Sequence, residues 1–271
     1  MRGEFSTDAV NIEAGKCLAL RTLKLTIAYD GTRYAGWQRQ RSGTRTPTIQ
    51  RTLERALSRV LQEPVTAIAS GRTDAGAHAA AQVAHVRTRS AMPPARLRDA
   101  VNHHLPLDVA VLRIEEADER FHARFRATRK TYRYRLFTGA VVPPFIRPYV
   151  HQVRAPLDVK RMRRELAALK GRHDFRAFAR SSGAERGSTT RAISRMALAR
   201  RGQELHLDVE GNGFLHTMVR SIAGTLIDIG RGRLSPGTMR RLLTTRDRAQ
   251  AGTTAPARGL TLVSVSYPAD R

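Results

Sequence analysis

The chain has 271 residues, 41% of them hydrophobic and 26% charged, a composition that excludes a disordered chain and allows a substantial core. Lys and Arg total 48 against 23 Asp and Glu, giving a formal net charge of +25. A field of that size attracts polyanions, nucleic acid above all. Only five of the 48 cations are lysines; codon bias can explain Arg over Lys but not the positive excess. No apolar run approaches the roughly 18 residues of a membrane span. Residues 1–19 carry Glu4, Asp8 and Glu13 and lack the apolar stretch of a signal peptide. Cys17 is the single cysteine, so neither an internal disulfide nor a cysteine-rich zinc site can form, which fits a reducing cytoplasm.

Leu23, Leu25 and Ile27 alternate with polar or small residues and predict a strand ending at the turn Asp30-Gly31. Ile49, Leu53, Leu57, Val60 and Leu61 follow helical spacing from Thr48 to Gln62, and Pro64 closes that helix. Strands are predicted over Val65–Ala69 and Gln82–Arg87, a helix over Pro94–Leu105, and a fourth strand over Asp108–Ile114. After a linker near Glu115–Lys130 the pattern recurs. It comprises a Tyr-rich strand at Thr131–Phe137, a helix at Asp158–Lys170, and strands at Arg191–Arg200 and Glu204–Val209 around the turn Arg201-Gly202. A long apolar helix spans Phe214–Ile229, a shorter one lies near Gly237–Thr244, and a last strand covers Leu260–Tyr267.

The order β-α-β-β-α-β therefore occurs twice. The predicted class is α+β: two ferredoxin-like (RRM-like) halves side by side in one extended antiparallel sheet, helices on one face and the other open to RNA. Residues 1–20 are an extension without an assigned role, 21–116 the first half and 117–271 the second. The same motif serves metabolic enzymes and RNA-recognition modules, so the activity must be sought in particular residues.

Ser70-Gly71-Arg72-Thr73-Asp74-Ala75-Gly76-Ala77-His78 joins two predicted strands. Two glycines permit tight turns and close ligand approach. Arg72 and Asp74 can pair, or the arginine can grip a phosphate while the carboxylate faces a cleft; a plain loop holding an Arg–Asp pair fits the pattern equally well. Asp74 and His78 alone make too few ligands for a metal site. In Tyr29–Gln38 (YDGTRYAGWQ), aromatic rings lie among arginines, which suits base stacking, although Trp37 reads more simply as a cap on the core and Asp30 as a turn residue. Within ATRKTYRYR, Tyr132 and Tyr134 share one strand face and Arg133 and Arg135 the other. Arg220, in NGFLHTMVR at the start of the longest apolar helix, is costly to bury without a carboxylate, and Asp74 is the leading candidate. The stretch Ala179–Thr190 reads as a loop whose arginines suit phosphate. No GxxxxGK[ST], strand-linked GxGxxG or GxSxG motif occurs.

With these motifs the chain resembles the tRNA pseudouridine synthase A family, whose members act at positions 38 to 40 of the anticodon stem-loop. YDGTRYAGWQ, GRTDAGAHA, FHARFRATRKTYRY, GNGFLHTMVR and RGLTLVSVSY stand in that family's order from Lys24 to Tyr267. Ala77 occupies a place where the family often has valine. The resemblance implies that Asp74 is the essential aspartate and that Tyr132 contacts the target base. It further implies that Arg220 pairs with the aspartate, keeping it ionised and oriented, and that Leu260 packs beside it. Arg72 and His78 belong to the same signature as substrate-side residues. No cofactor or metal is expected, because the base returns to its own ribose. A homodimer on tRNA is implied, in the cytoplasm and without a membrane. Asp74 can attack the sugar carbon, add to the base or abstract a ribose proton, and these remain open. Two rivals are a non-catalytic RNA-binding protein, which leaves Asp74 without a purpose, and a magnesium-dependent hydrolase, which needs a cluster of carboxylates. A related synthase with other target uridines is the nearest competitor.

Overall fold

The computed structural model describes residues 19–40, 46–180 and 187–268. Cys17, most of the N-terminal extension and the centre of the 179–190 stretch lie outside them. Among the described residues ten strands form one mixed, mostly antiparallel sheet. They are β1 (Arg21–Tyr29), β2 (Ile68–Ala69), β3 (His78–Thr88), β4 (Val109–Ala117), β5 (Arg129–Phe137), β6 (His151–Gln152), β7 (Gly171–Asp174), β8 (Thr190–Arg201), β9 (Glu204–Gly211) and β10 (Leu260–Ser266). The path across the sheet is β4-β1-β3-β10-β5-β9-β8-β7, with β2 on β3 and β6 on β5. Contrary to the expectation of a wholly antiparallel sheet, β10 runs parallel to β3 through Thr261–His78 and Leu262–Ala79, and β6 runs parallel to β5. The last strand thus inserts at the centre, between β3 and β5.

The helices are α1 (Ile49–Leu61), α2 (Pro94–His104), α3 (Val159–Leu166), α4 (Met218–Gly230) and α5 (Thr238–Thr245). Leu23, Leu25 and Ile27 of β1 are fully buried together with Leu53 and Leu57 of α1, as the two hydrophobic periodicities require. Tyr134, Leu207 and Val209 belong to the same core with Met162 of α3 and Ile222 and Leu226 of α4. Among the described residues no helix is long and apolar enough to cross a membrane.

Three elements depart from the sequence spacing for identifiable reasons. The strand expected from Val65 begins only at Ile68. The Ala67 amide donates to Glu54 Oε1 at 3.0 Å and its carbonyl accepts from Gln50 Nε2 at 3.1 Å, so α1 side chains replace a strand partner. The following strand starts at His78 rather than Gln82, because the small residues Ala79–Ala81 continue the ladder. The long apolar helix starts at Met218, not Phe214: Thr217 sits at φ +61, a left-handed conformation that no helix continues through.

The helix-free face is also occupied differently from the expectation of an open RNA platform. Residues 118–128 lie on it, with Phe121 and Ala123 packed on Val83, and Ala123 N donates to His85 Nδ1 at 3.2 Å. Arg133 and Arg135, which project to this face, are held by Asp208 at 2.6 Å and Glu204 at 2.8 Å. Tyr132 and Tyr134 point the other way, toward the helices, and are buried.

Candidate active site

Asp74 stands in the loop between β2 and β3, and the segment after β1 cradles that loop. Trp37 N donates to the Thr73 carbonyl at 3.1 Å and Gly76 N to the Tyr34 carbonyl at 3.2 Å. A Cβ on Gly31 would lie 1.9 Å from the Ala77 carbonyl oxygen, and one on Gly36, at φ +86, 2.6 Å from that of Thr73. Only glycine permits this backbone-to-backbone approach. Trp37 and Tyr34 are buried beneath the contact, and the Tyr34 hydroxyl donates to Asp108 at 2.6 Å. The aromatic motif therefore shapes the loop instead of offering rings to bases. Asp30 caps its turn by accepting from Thr32 N at 2.9 Å.

A buried polar network holds the loop from below. Tyr29 and Thr73 share a hydroxyl–hydroxyl bond of 2.8 Å, Gln82 Nε2 donates to the Gly71 carbonyl at 2.9 Å, and Ser70 Oγ donates to Gln82 Oε1 at 2.8 Å. Lys130 Nζ donates to the Ser70 carbonyl. Burial pushes the Tyr29 hydroxyl up to about 12 against the opposing pull of Thr73 and Gln82, so it stays protonated.

Across the sheet, α4 brings Arg220 to this loop. Arg220 Nη1 donates to Asp74 Oδ2 at 2.6 Å, and Nε donates to the Ala255 carbonyl at 2.8 Å. His216 Nε2 lies 3.5 Å from the other carboxylate oxygen, Oδ1. Asp74 and Arg220 side chains are 16% and 18% exposed, and His216 is 42% exposed, so the pair is recessed with the imidazole at its mouth. Tyr132 lies in the same recess, its ring edge-on to Phe214 at 4.9 Å. Burial, then Tyr29 and Asp74, raise its hydroxyl well above the ordinary phenol range.

The remaining residues named from sequence surround this centre. Arg72 is exposed, and its Nε donates to Gln38 Oε1 at 3.0 Å. His78 is buried under the loop. Its Nδ1 accepts from Gly31 N at 3.1 Å, with Asp30 Oδ1 equally near, and its Nε2 lies 3.1 Å from the Pro148 and Arg258 carbonyls. Leu260 opens β10 opposite Tyr134 and is buried; Leu262 is the residue opposite Tyr132. The sequence pattern does not single out His216, Gln82, Tyr29 or Lys130. Gln82 carries a usable signal, as an amide on the inward face of an apolar strand. Among the described residues no group of three or more His, Cys, Asp and Glu is placed to hold a metal ion.

The site is thus a carboxylate recessed at the centre of a mixed sheet, gripped on one oxygen by an arginine from a distant helix and bordered by a protonated tyrosine. A family model described as tRNA pseudouridine synthase matches residues 25–126 and 166–268, which include Asp74, His216 and Arg220. The tRNA pseudouridine synthase A of Moorella thermoacetica is 44% identical over 245 residues, covering 90% of this chain and 99% of its own. That of Pelobacter propionicus is 45% identical over 248 residues, covering 92% and 100%. The protein belongs to the tRNA pseudouridine synthase family, and with that membership it is an isomerase of uridine in tRNA.

Proposed function

We propose that this enzyme converts uridine to pseudouridine at positions 38, 39 and 40 of the anticodon stem-loop, with Asp74 as the catalytic carboxylate. The observation that carries this reading is the 2.6 Å Arg220–Asp74 bond, which leaves Oδ1 directed toward the mouth of the recess near His216. Arg220 fixes the carboxylate and balances its charge. The reaction breaks C1′–N1, turns the uracil, joins C1′ to C5 and releases the C5 hydrogen to water as a proton, while the freed N1 takes up a proton. Asp74 can open it at the sugar carbon, at the base or at a ribose proton. A paired uridine must leave its stack first. The Tyr132 ring and its retained hydroxyl proton then offer the displaced base a face and a donor. Arg72 meets the RNA at the rim, while His78 and Leu260 shape the site from beneath.

In this reading the sheet comprises two β-α-β-β-α-β units, residues 21–116 and 117–271. The enzyme works in the cytoplasm as a homodimer without a cofactor, one tRNA meeting both subunits. Tritium release from tRNA carrying 5-tritiated uridine tests the activity. Wild-type chain releases the label with or without chelator, and Asp74→Ala does not. Tight tRNA binding with no release by wild type would move the assignment to a non-catalytic RNA-binding protein.

A further inference from the structure

Residues 118–128 on the helix-free face complete a row of three rings that runs from the interior to solvent. His85 of β3 is buried, and its ring centroid is 4.7 Å from that of His122. His122 in turn stacks on Phe125, with centroids 4.3 Å and planes 29° apart. The backbone of the turn fixes both outer rings. His122 Nδ1 accepts from Arg124 N at 3.2 Å and from Phe125 N at 3.3 Å, and its carbonyl accepts from Arg126 N at 3.0 Å. Phe125 ends the row 77% exposed. With His122 against one face of the ring, that exposure leaves the opposite face open. Phe145 is more exposed still, but it stacks on no other ring among the described residues. Phe125 is held in place.

Charge indicates what the open face can take. Arg124 and Arg126 flank Phe125 in the chain and are exposed, and neither pairs with a carboxylate among the described residues. The Arg124 guanidinium is 5.8 Å from the Phe125 centroid, the outer limit of a cation–π contact, so it does not cover the ring. A fixed apolar ring between two uncompensated cations suits a nucleobase, whose π-face stacks while its phosphates meet the arginines. It suits a second copy of the chain poorly, because two such patches face to face would bring four cations together.

We propose that Phe125, backed by His122 and flanked by Arg124, stacks one unpaired base of the tRNA at a subsite separate from the Asp74 recess. Tyr132 projects to the helix side of the sheet and residues 118–128 occupy the other, so this base is not the uridine turned toward Asp74. Holding a second nucleotide fixes the path of the RNA over the enzyme and adds affinity without entering the chemistry. The inference rests on tRNA as the substrate and not on which uridines are modified.

Phe125→Trp gives the direct test, because Trp37, the one native tryptophan, is 1% exposed in the core. An indole at position 125 should lose most of its emission when tRNA is added, with the same titration of wild type supplying the Trp37 background. Phe125→Trp should also bind tRNA as tightly as wild type. Phe125→Leu keeps an apolar contact with His122 and removes the ring. It should weaken tRNA binding about five- to 150-fold, the range set by one base–aromatic stack. KM should rise with it while kcat stays within about twofold, as loss of uniform binding requires. Unquenched emission in Phe125→Trp, or wild-type affinity in Phe125→Leu, would overturn the subsite. So would a dimer that sediments as monomers in Phe125→Leu without RNA, since Phe125 would then be a contact between copies. Absence of tritium release by wild type would instead sink the functional reading, and the quenching and affinities, which need no turnover, would still decide the subsite.

Discussion

Arg220 on α4 and Asp74 in the loop before β3 are 146 positions apart in the chain and 2.6 Å apart in space. Both side chains are mostly buried, so neither can lose the other and recover full hydration. Arg220→Met should destabilise the fold by about 1.5–3 kcal/mol, the range for a hydrogen bond to a charged group. It should also lower kcat by about a hundredfold or more as the carboxylate loses its orientation. Asp74→Ala should abolish turnover and leave tRNA binding largely intact. Denaturant unfolding of Asp74→Asn, Arg220→Met and the double variant gives the coupling energy, expected at about 1–3 kcal/mol. Additive losses would show that the contact is not an energetic pair.

Gly36 supports the same carboxylate from the backbone side. At φ +86, with a Cβ position 2.6 Å from the Thr73 carbonyl oxygen, Gly36→Ala must both strain its own backbone and push the loop. The strain alone costs about 1–3 kcal/mol. Gly202, at φ +57 in the β8–β9 turn, has nothing within 4 Å of its Cβ position and provides the control. Gly202→Ala should lose stability without losing kcat, whereas Gly36→Ala should lose both. Equal kcat in the two variants would separate the glycine cradle from the position of Asp74.

These relationships are unequally legible in the sequence. An arginine in the apolar run of α4 demands a carboxylate, which makes Asp74 the leading candidate, and the resemblance to the synthase family points to the same pair. The alternation of Leu23, Leu25 and Ile27 likewise predicts β1 directly. The shortening of β2 is hidden, because Gln50 and Glu54 look like ordinary polar positions on a helix. Only folding turns them onto the Ala67 peptide. The start of α4 is equally hidden: Phe214 and Leu215 continue the hydrophobic period, and periodicity carries no sign of the left-handed turn at Thr217. His216 lies inside a recognised motif, but its approach to Asp74 depends on that turn.

His85 ties the 118–128 loop to the sheet, accepting from Ala123 N and lying against His122 with ring centroids 4.7 Å apart. Burial, with His122 and Arg87 adding repulsion, pushes its imidazole from 6.5 down to about 4. The unfolded chain therefore binds a proton between pH 6.5 and about 4 that the folded chain refuses. Stability from this residue is present above 6.5, falls as pH drops toward 4 and is then level, a loss of up to about 3 kcal/mol. His151, similarly depressed by burial with Arg258 and Arg231, contributes in the same direction. Unfolding free energies should decline across this window in wild type, and less in His85→Gln. Parallel curves for the two proteins would remove His85 as a source of the decline.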